Sequence, residues 1–207
     1  MKTYKIAEID LIIYDGDLGI RFSGGTDSAI LLYYMAKHSS NNLYAYVLSE
    51  QEKDYSAEIL AQRTIDKIKE LTGNNNIILR VIRAESKNKH ILISGLDKAA
   101  EQDNITMMYT GISKRPPADD ELKFGVMYGG DDYDWREPTL KVDTIYDKVY
   151  VPLANNNKKD IKRMYDHDNV LESLSPSTFS CTRGEAKRVA CGNCWGCKER
   201  IWAFGDL

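Results

Sequence analysis

The chain has 207 residues, of which 43% are hydrophobic and 29% are charged, and its formal net charge is −3. This length suits one domain with a core of its own, and the composition excludes a disordered or fibrous chain. The small negative charge gives no overall attraction to nucleic acid or to anionic lipid. No run approaches the ~18 apolar residues of a membrane-spanning helix, and the first residues lack the apolar core of a signal peptide. We therefore expect a cytoplasmic protein that does not bind membranes.

Short apolar strands alternate with helix-like segments along most of the chain. Residues 1–17 predict a hairpin, whose Asp15–Gly16 turn leads into the first strand of a sheet. Apolar runs predict the strands of that sheet at 18–22, 43–48, 77–82, 105–109 and 149–153. Helical spacing of apolar residues predicts helices over 28–37, 55–71, 94–102 and 158–165. This alternation predicts an α/β fold with an open, mostly parallel, doubly wound sheet.

The segment Ser23–Ser28, with the sequence SGGTDS, lies between a predicted strand and a predicted helix. Free N–H groups at a helix N-terminus attract anions, and the paired glycines let the backbone close around a phosphate. Asp27 would be repelled by phosphate unless Mg²⁺ or a lysine lay between them. The absence of a Gly-Lys-Ser or Gly-Lys-Thr sequence argues against a Walker-type hydrolase. We interpret the segment as a nucleotide-phosphate loop of another class; a plain glycine turn before a capped helix is the alternative.

All cysteines of the chain lie near its C-terminus, at Cys181, Cys191, Cys194 and Cys197. The last three recur at three-residue intervals, and glycines at 192 and 196 allow sharp turns that point their sulfurs inward. Thiolates at this spacing can converge on one tetrahedral Zn²⁺. Four sulfur ligands close the coordination sphere, which would make the zinc structural. Disulfides, unrelated thiols or an iron–sulfur cluster are the alternatives.

SGGTDS resembles the SGGxDS pyrophosphate loop of the N-type ATP pyrophosphatases, the PP-loop superfamily. The C-terminal part is similar to the 7-cyano-7-deazaguanine synthases, which carry a Pro-Leu strand, a lysine-bearing helix, a Ser-Cys pair and a CGxCxxCxxR motif. The matching residues stand here in the same order, as Pro152–Leu153, Lys158, Ser180–Cys181 and Cys191–Arg200. That family's Gly-Arg-Asn and Tyr-Pro-Asp segments, which help to form its acceptor pocket, have no counterpart in this chain.

This resemblance implies an adenine nucleotide alpha-hydrolase-like fold and an enzyme that uses ATP with Mg²⁺ to adenylate a carboxylate and release pyrophosphate. The family's carboxylate is a 7-deazapurine, 7-carboxy-7-deazaguanine, and ammonia then gives the amide and the nitrile in a queuosine-type pathway. The resemblance also allows a homodimer. The predicted catalytic residues are Asp27 and Lys158, because a cation near the loop would stabilise the departing pyrophosphate. The predicted ATP-binding residues are Ser23, Gly24, Gly25, Thr26, Asp27, Ser28 and Gly111.

Residues 112–144 interrupt the alternation, with few periodic apolar residues and many Asp, Gly and Pro. They follow the end of a predicted strand, where loops of an α/β sheet select the substrate. We expect them to form a lid over the ATP loop, within an ATP-binding core at 18–176 that precedes a zinc-binding subdomain at 177–207. A disordered surface insertion is the alternative. The predicted acceptor-binding residues are Thr110, Asp119, Asp120 and Tyr128.

Two further interpretations of the function stay open. One is a PP-loop enzyme that adenylates a different acceptor. The other is a binding module whose zinc knot contacts nucleic acid and whose ATP loop is vestigial. The complete loop favours catalysis, since a vestigial loop would have no reason to keep Ser23, both glycines, Asp27 and Ser28.

Overall fold

A computed structural model describes residues 1–50, 55–84, 89–117, 119, 148–182 and 189–206. The strands are β1 (Lys2–Ile6), β2 (Ile9–Ile13), β3 (Leu18–Arg21), β4 (Leu43–Glu50), β5 (Ile77–Ala84), β6 (Met107–Thr110) and β7 (Val149–Tyr150). The helices are α1 (Thr26–His38), α2 (Tyr55–Thr72), α3 (Lys89–Gln102), α4 (Lys158–His167), α5 (Leu171–Leu174) and α6 (Trp195–Phe204), with a 3₁₀ turn at Ser175–Ser177. Within these ranges, no helix is both long and apolar enough to cross a membrane.

The main sheet has the order β5-β4-β3-β6-β7, and all of its neighbouring strands are parallel. The strand order reverses at β3, because the chain adds β4 and β5 on one side and then β6 and β7 on the other. Helices cover both faces: α3 packs on one, whereas α1, α2 and α4 pack on the other. The predicted α/β fold with an open parallel sheet is thereby confirmed. In such a sheet, ligands bind at the carboxyl ends of the strands near the reversal.

Some elements begin or end away from their predicted bounds. The strand predicted at 149–153 stops at Tyr150, because Pro152 has no N–H to donate to a neighbouring strand. Helix α3 begins at Lys89 and not at Ser94, and β6 begins at Met107. Helix α6 was absent from the sequence prediction, and it ends at Gly205, whose φ of 83° is left-handed. These differences leave the topology unchanged.

The N-terminal residues form an antiparallel hairpin of β1 and β2, as predicted. The chain reverses at Ala7 and Glu8, which have φ angles of 44° and 70°, and the Asp15–Gly16 turn then leads into β3. The hairpin is fixed to the sheet by Tyr109, whose hydroxyl donates to the carbonyl of Ile12 at 2.8 Å.

Helix α1 is the centre of the larger core. Every residue from Ser28 to Ala36 is buried, and the helix packs against both α2 and α4. A helix buried on all sides has little freedom to tilt, so its N-terminus is held in a fixed place at the carboxyl edge of the sheet. The segment SGGTDS leads directly into that N-terminus.

Candidate active site and metal centre

The phosphate loop, residues Ser23–Ser28, connects the end of β3 to the first turn of α1. Gly24 has a φ of +72°, which a side chain would strain, and Gly25 is the N-cap of α1. No side chain caps this helix among the described residues, so its first N–H groups stay available to an anion. The hydroxyls of Ser23 and Ser28 lie 3.2 Å apart beside them. The loop therefore has the geometry of an anion site.

Lys158 and Asp27 form an ion pair beside the phosphate loop. Lys158 is the first residue of α4, and its Nζ lies 2.5 Å from Oδ1 of Asp27 and 3.1 Å from Oγ1 of Thr26. Lys158 is only 7% exposed, so solvent screens this pair weakly. The next residue, Lys159, instead places its ammonium 4.4 Å from the centre of the Trp202 ring. Of these two lysines, Lys158 is the one that can supply positive charge to the loop.

Gly111, the residue that follows β6, packs against the first turn of α1. A Cβ built on Gly111 would lie 2.8 Å from the backbone nitrogen of Ser28 and 3.1 Å from Cβ of Asp27. Only glycine therefore allows this close approach. Two residues later, the hydroxyl of Ser113 donates to Oδ2 of Asp27 at 2.9 Å. Ser113 was not among the predicted site residues, although it lies just beyond the end of a strand at the crevice.

The predicted acceptor residues fall in different places. Thr110 is buried at the end of β6, where it lies opposite Arg21 of β3. Asp119 is exposed. Asp120 and Tyr128, and with them residues 120–144 of the predicted lid, lie outside the described residues. The acceptor contacts proposed for this segment thus stay predictions.

The cysteine cluster, formed by Cys181, Cys191, Cys194 and Cys197, brings all of its sulfur atoms within 4.8 Å of one another. Two of the sulfur pairs, Cys194–Cys181 and Cys191–Cys197, are 3.8 Å and 3.9 Å apart. A tetrahedral Zn²⁺ with bonds of about 2.3 Å requires sulfurs that are roughly 3.8 Å apart. None of these cysteines forms a disulfide. The cluster therefore fits one tetrahedral metal ion.

Backbone N–H groups favour the thiolate form in this cluster. Hydrogen bonds from the N–H groups of Asn193 and Cys194 lower the pKa of the Cys191 thiol. Burial raises the pKa of Cys194, but hydrogen bonds from Thr182 oppose this effect, and the pKa falls to about 6. Burial acts in the opposite direction at Cys197 and raises the pKa of its thiol. The donors therefore favour the thiolate, the form that binds a metal, at Cys191 and Cys194.

A backbone hydrogen bond joins the two sites. The N–H of Phe179 donates to the carbonyl of Gly24 at 2.9 Å, and Cys181 follows two residues later. The carbonyl of Phe179 also lies 3.5 Å from the position that a Cβ on Gly25 would occupy. Sequence analysis gave no indication of this contact.

Comparisons with known proteins agree with the C-terminal motif. The family model described as "Queuosine biosynthesis protein QueC" matches residues 140–207. No curated protein matches the sequence. The predicted resemblance to a family of the PP-loop ATP pyrophosphatase superfamily is confirmed over residues 140–207, which include Lys158 and the cysteine cluster but not the phosphate loop.

Two of the solved structures that match this chain share little of its sequence. The U34-tRNA thiolase NcsA from Methanococcus maripaludis, which has a [4Fe-4S] cluster, is 14% identical, with 92% of this chain and 64% of that chain covered and a TM-score of 0.48. The NMN synthetase from Francisella tularensis is 15% identical, with 76% of this chain and 63% of that chain covered and a TM-score of 0.42. The match therefore spans just under two thirds of the length of either protein.

Proposed function

We propose that this chain is an ATP-dependent ligase of the 7-cyano-7-deazaguanine synthase type. It would adenylate a carboxylate with release of pyrophosphate and then join the acyl group to ammonia. The observation that carries the proposal is the Lys158–Asp27 ion pair at the N-terminus of α1. The pair lies beside the phosphate loop, whose Gly24 accepts a hydrogen bond from Phe179, two residues before the cysteine cluster begins. The family match over residues 140–207 supports the choice of reaction.

The first step is nucleophilic substitution at phosphorus. An oxygen of the acceptor carboxylate attacks the α-phosphate of ATP, the bond to the bridging oxygen breaks, and pyrophosphate leaves with the electron pair. Because the leaving group gains negative charge, N–H dipoles of the phosphate loop and the ammonium of Lys158 stabilise the transition state. Asp27 holds that ammonium in place and also offers a carboxylate oxygen, the kind of ligand that Mg²⁺ prefers. Mg²⁺ would neutralise phosphate charge when bound with ATP.

The second step forms the carbon–nitrogen bond. Ammonia attacks the acyl carbon of the adenylate, AMP leaves, and a proton is released to give the amide. The amide oxygen then attacks the α-phosphate of a second ATP and pyrophosphate leaves. Loss of AMP, which carries that oxygen, and of the two amide protons gives the nitrile. The cysteine cluster takes no part in these steps, because four sulfur ligands leave a tetrahedral ion without an open position.

Product analysis tests this proposal. The protein is incubated with ATP, Mg²⁺, ammonium and 7-carboxy-7-deazaguanine, and the products are identified by mass spectrometry. We expect AMP, pyrophosphate and the 7-cyano or 7-amido product, all dependent on the acceptor. ADP and phosphate, or no acceptor-dependent AMP, would contradict it. AMP formation with another carboxylate alone would point to a different acceptor, and binding of nucleic acid in a gel shift without ATP consumption would favour the binding module.

A further inference from the structure

The residues Ser175–Cys181, called the connecting segment below, run from the 3₁₀ turn to the first cysteine of the cluster. Near its end, this segment touches both candidate sites. Phe179 donates its N–H to the carbonyl of Gly24, whereas Cys181 supplies one sulfur of the cluster. A single intervening residue, Ser180, separates the two contacts. A displacement of Cys181 cannot be absorbed over so short a span of chain.

The other end of the connecting segment is held by Arg200. This arginine is 3% exposed, and its Nη2 donates to the carbonyl and the hydroxyl of Ser175, at 3.1 Å each. Its Nη1 donates to the hydroxyl of Thr178 at 2.8 Å. Arg200 lies on α6, whose N-cap is Cys194. The helix that holds the segment therefore starts inside the cysteine cluster.

Two further contacts leave little space around the connecting segment. A Cβ built on Gly196 would lie 2.1 Å from the carbonyl oxygen of Ser180, so α6 meets the segment without a side chain between them. From α2, the hydroxyl of Thr64 donates to the carbonyl of Ser177 at 2.7 Å. The backbone of the segment is thus hydrogen-bonded to the backbone of the phosphate loop and to the side chains of Thr64 on α2 and Arg200 on α6.

Loss of the metal would act on this arrangement through the positions of the sulfur atoms. Without an ion, no bonds to a shared centre hold the four sulfurs within 4.8 Å of one another. Because the cluster includes Cys181 and Cys194, the N-cap of α6, a change in the sulfur positions moves the connecting segment. The hydrogen bond from Phe179 to Gly24 then weakens, and the phosphate loop loses a contact that fixes its left-handed glycine.

We infer that Arg200 and the cysteine cluster position the phosphate loop through the connecting segment, so that metal binding and ATP binding favour each other. Arg200 is a positioning residue in this arrangement. The inference rests on the ATP binding proposed above and adds a coupling between the two sites. Thermodynamic linkage makes the coupling reciprocal, and couplings of this kind are typically about 5–150-fold in affinity.

The first test measures zinc affinity of the full chain in a chelator-buffered zinc series, with and without ATP and Mg²⁺. We expect ATP to tighten zinc binding about tenfold, a value inside the usual range of such couplings. The matched control is Gly25→Val, which should not bind ATP. Any change that ATP causes in the apparent zinc affinity of this variant reflects zinc bound by free ATP, and it is subtracted from the wild-type result. Equal zinc affinities with and without ATP, in protein shown by calorimetry to bind ATP, would overturn the inference. Absence of any ATP binding would instead overturn the proposed function.

The second test keeps the metal and changes the positioning residue. Arg200→Lys keeps the charge but cannot bond Ser175 and Thr178 together, because it lacks the guanidinium fork. We expect zinc content to stay near that of the wild type while the Kd for ATP rises about tenfold, within the range of such couplings. Thr178→Val is a milder change that removes one hydrogen-bond acceptor of Arg200, and it should raise the Kd for ATP by a smaller factor. This variant replaces Arg200→Lys in the test if Arg200→Lys does not fold. Tyr109→Phe, which loses a hydrogen bond to the hairpin, is the control for a general loss of stability. An unchanged Kd in zinc-loaded, folded Arg200→Lys or Thr178→Val would overturn the inference.

Discussion

The ammonium of Lys158 lies 2.5 Å from the Asp27 carboxylate, although α4 and α1 are separated by most of the chain. The hydroxyl of Ser113 bonds the second carboxylate oxygen at 2.9 Å. Asp27 is therefore held from two sides at the first turn of α1, where a phosphate would bind. Removal of Lys158 would leave the negative charge of Asp27 without its cation next to an anion site.

Lys158→Met should abolish most turnover. The change removes the cation that stabilises the departing pyrophosphate and leaves Asp27 unneutralised, so we expect kcat to fall by roughly 10²–10³-fold, as for loss of one electrostatic stabiliser. Lys159→Met is the control, because its ammonium faces Trp202, and it should keep near wild-type kcat. Pyrophosphate release with the native acceptor is the measurement. Similar rates in both variants would show that Lys158 does not stabilise the departing pyrophosphate.

Gly111→Ala should weaken ATP binding by displacing the start of α1. Its Cβ would lie 2.8 Å from the nitrogen of Ser28, and this backbone cannot move without changing the phosphate loop. Calorimetry should show the Kd for ATP rising about tenfold or more, which corresponds to roughly 1.4 kcal/mol. The control is Gly95→Ala, whose Cβ would lie 3.1 Å from the side chain of Ile82 and far from the phosphate loop. Unchanged affinity in Gly111→Ala would place the nucleotide elsewhere.

The cysteine cluster should hold one zinc ion that contributes to stability. Metal affinity becomes folding free energy when the site forms only in the folded state, so chelation should lower the melting temperature by several degrees or more. Elemental analysis of freshly purified protein should give about one zinc per chain. Cys194→Ser should lose the zinc and most of the stabilisation. Iron in place of zinc, with the absorbance of a cluster, would contradict this assignment.

The free energy of unfolding should fall as the pH becomes acidic, in part because Asp103 loses its charge. Hydrogen bonds from Arg80, and then from the hydroxyl of Tyr46, lower the pKa of the Asp103 carboxyl in the folded protein. A carboxyl whose pKa is lowered by folding stabilises the protein above its unfolded pKa, and this contribution is lost as the pH falls through the folded pKa. Asp103→Asn should therefore cost about 1–2 kcal/mol at pH 7, and the difference from wild type should shrink below about pH 4.

Urea unfolding at neutral and acid pH measures this difference. Asp166→Asn is the control, because Asp166 pairs only with Lys162 on the surface of α4, and such a pair contributes about 0.5 kcal/mol. A constant difference between wild type and Asp103→Asn down to pH 3 would show that the Asp103 charge does not carry the effect.

The sequence alone was sufficient for features that depend on neighbouring residues. The alternation of apolar strands and helices predicted the parallel sheet, and the short spacing between Cys191, Cys194 and Cys197 predicted that they would cluster. SGGTDS predicted a loop before a helix, because paired glycines followed by helix-forming residues have few other local solutions. Each strand, helix, loop and cysteine spacing was predicted from residues close together in the chain, and the order of these segments predicted the sheet.

Only the tertiary structure decided which distant residues meet at the loop. Ser113 and Phe179 carry no local pattern, because a serine or a phenylalanine is compatible with many surroundings. Arg200 belongs to the CGxCxxCxxR motif, but the motif does not indicate that this arginine holds the connecting segment. Their roles follow from packing: β6 brings Ser113 to Asp27, and the connecting segment brings Phe179 to Gly24. Such contacts join residues far apart along the chain, and they form because the sheet order and the buried α1 leave one place for each element.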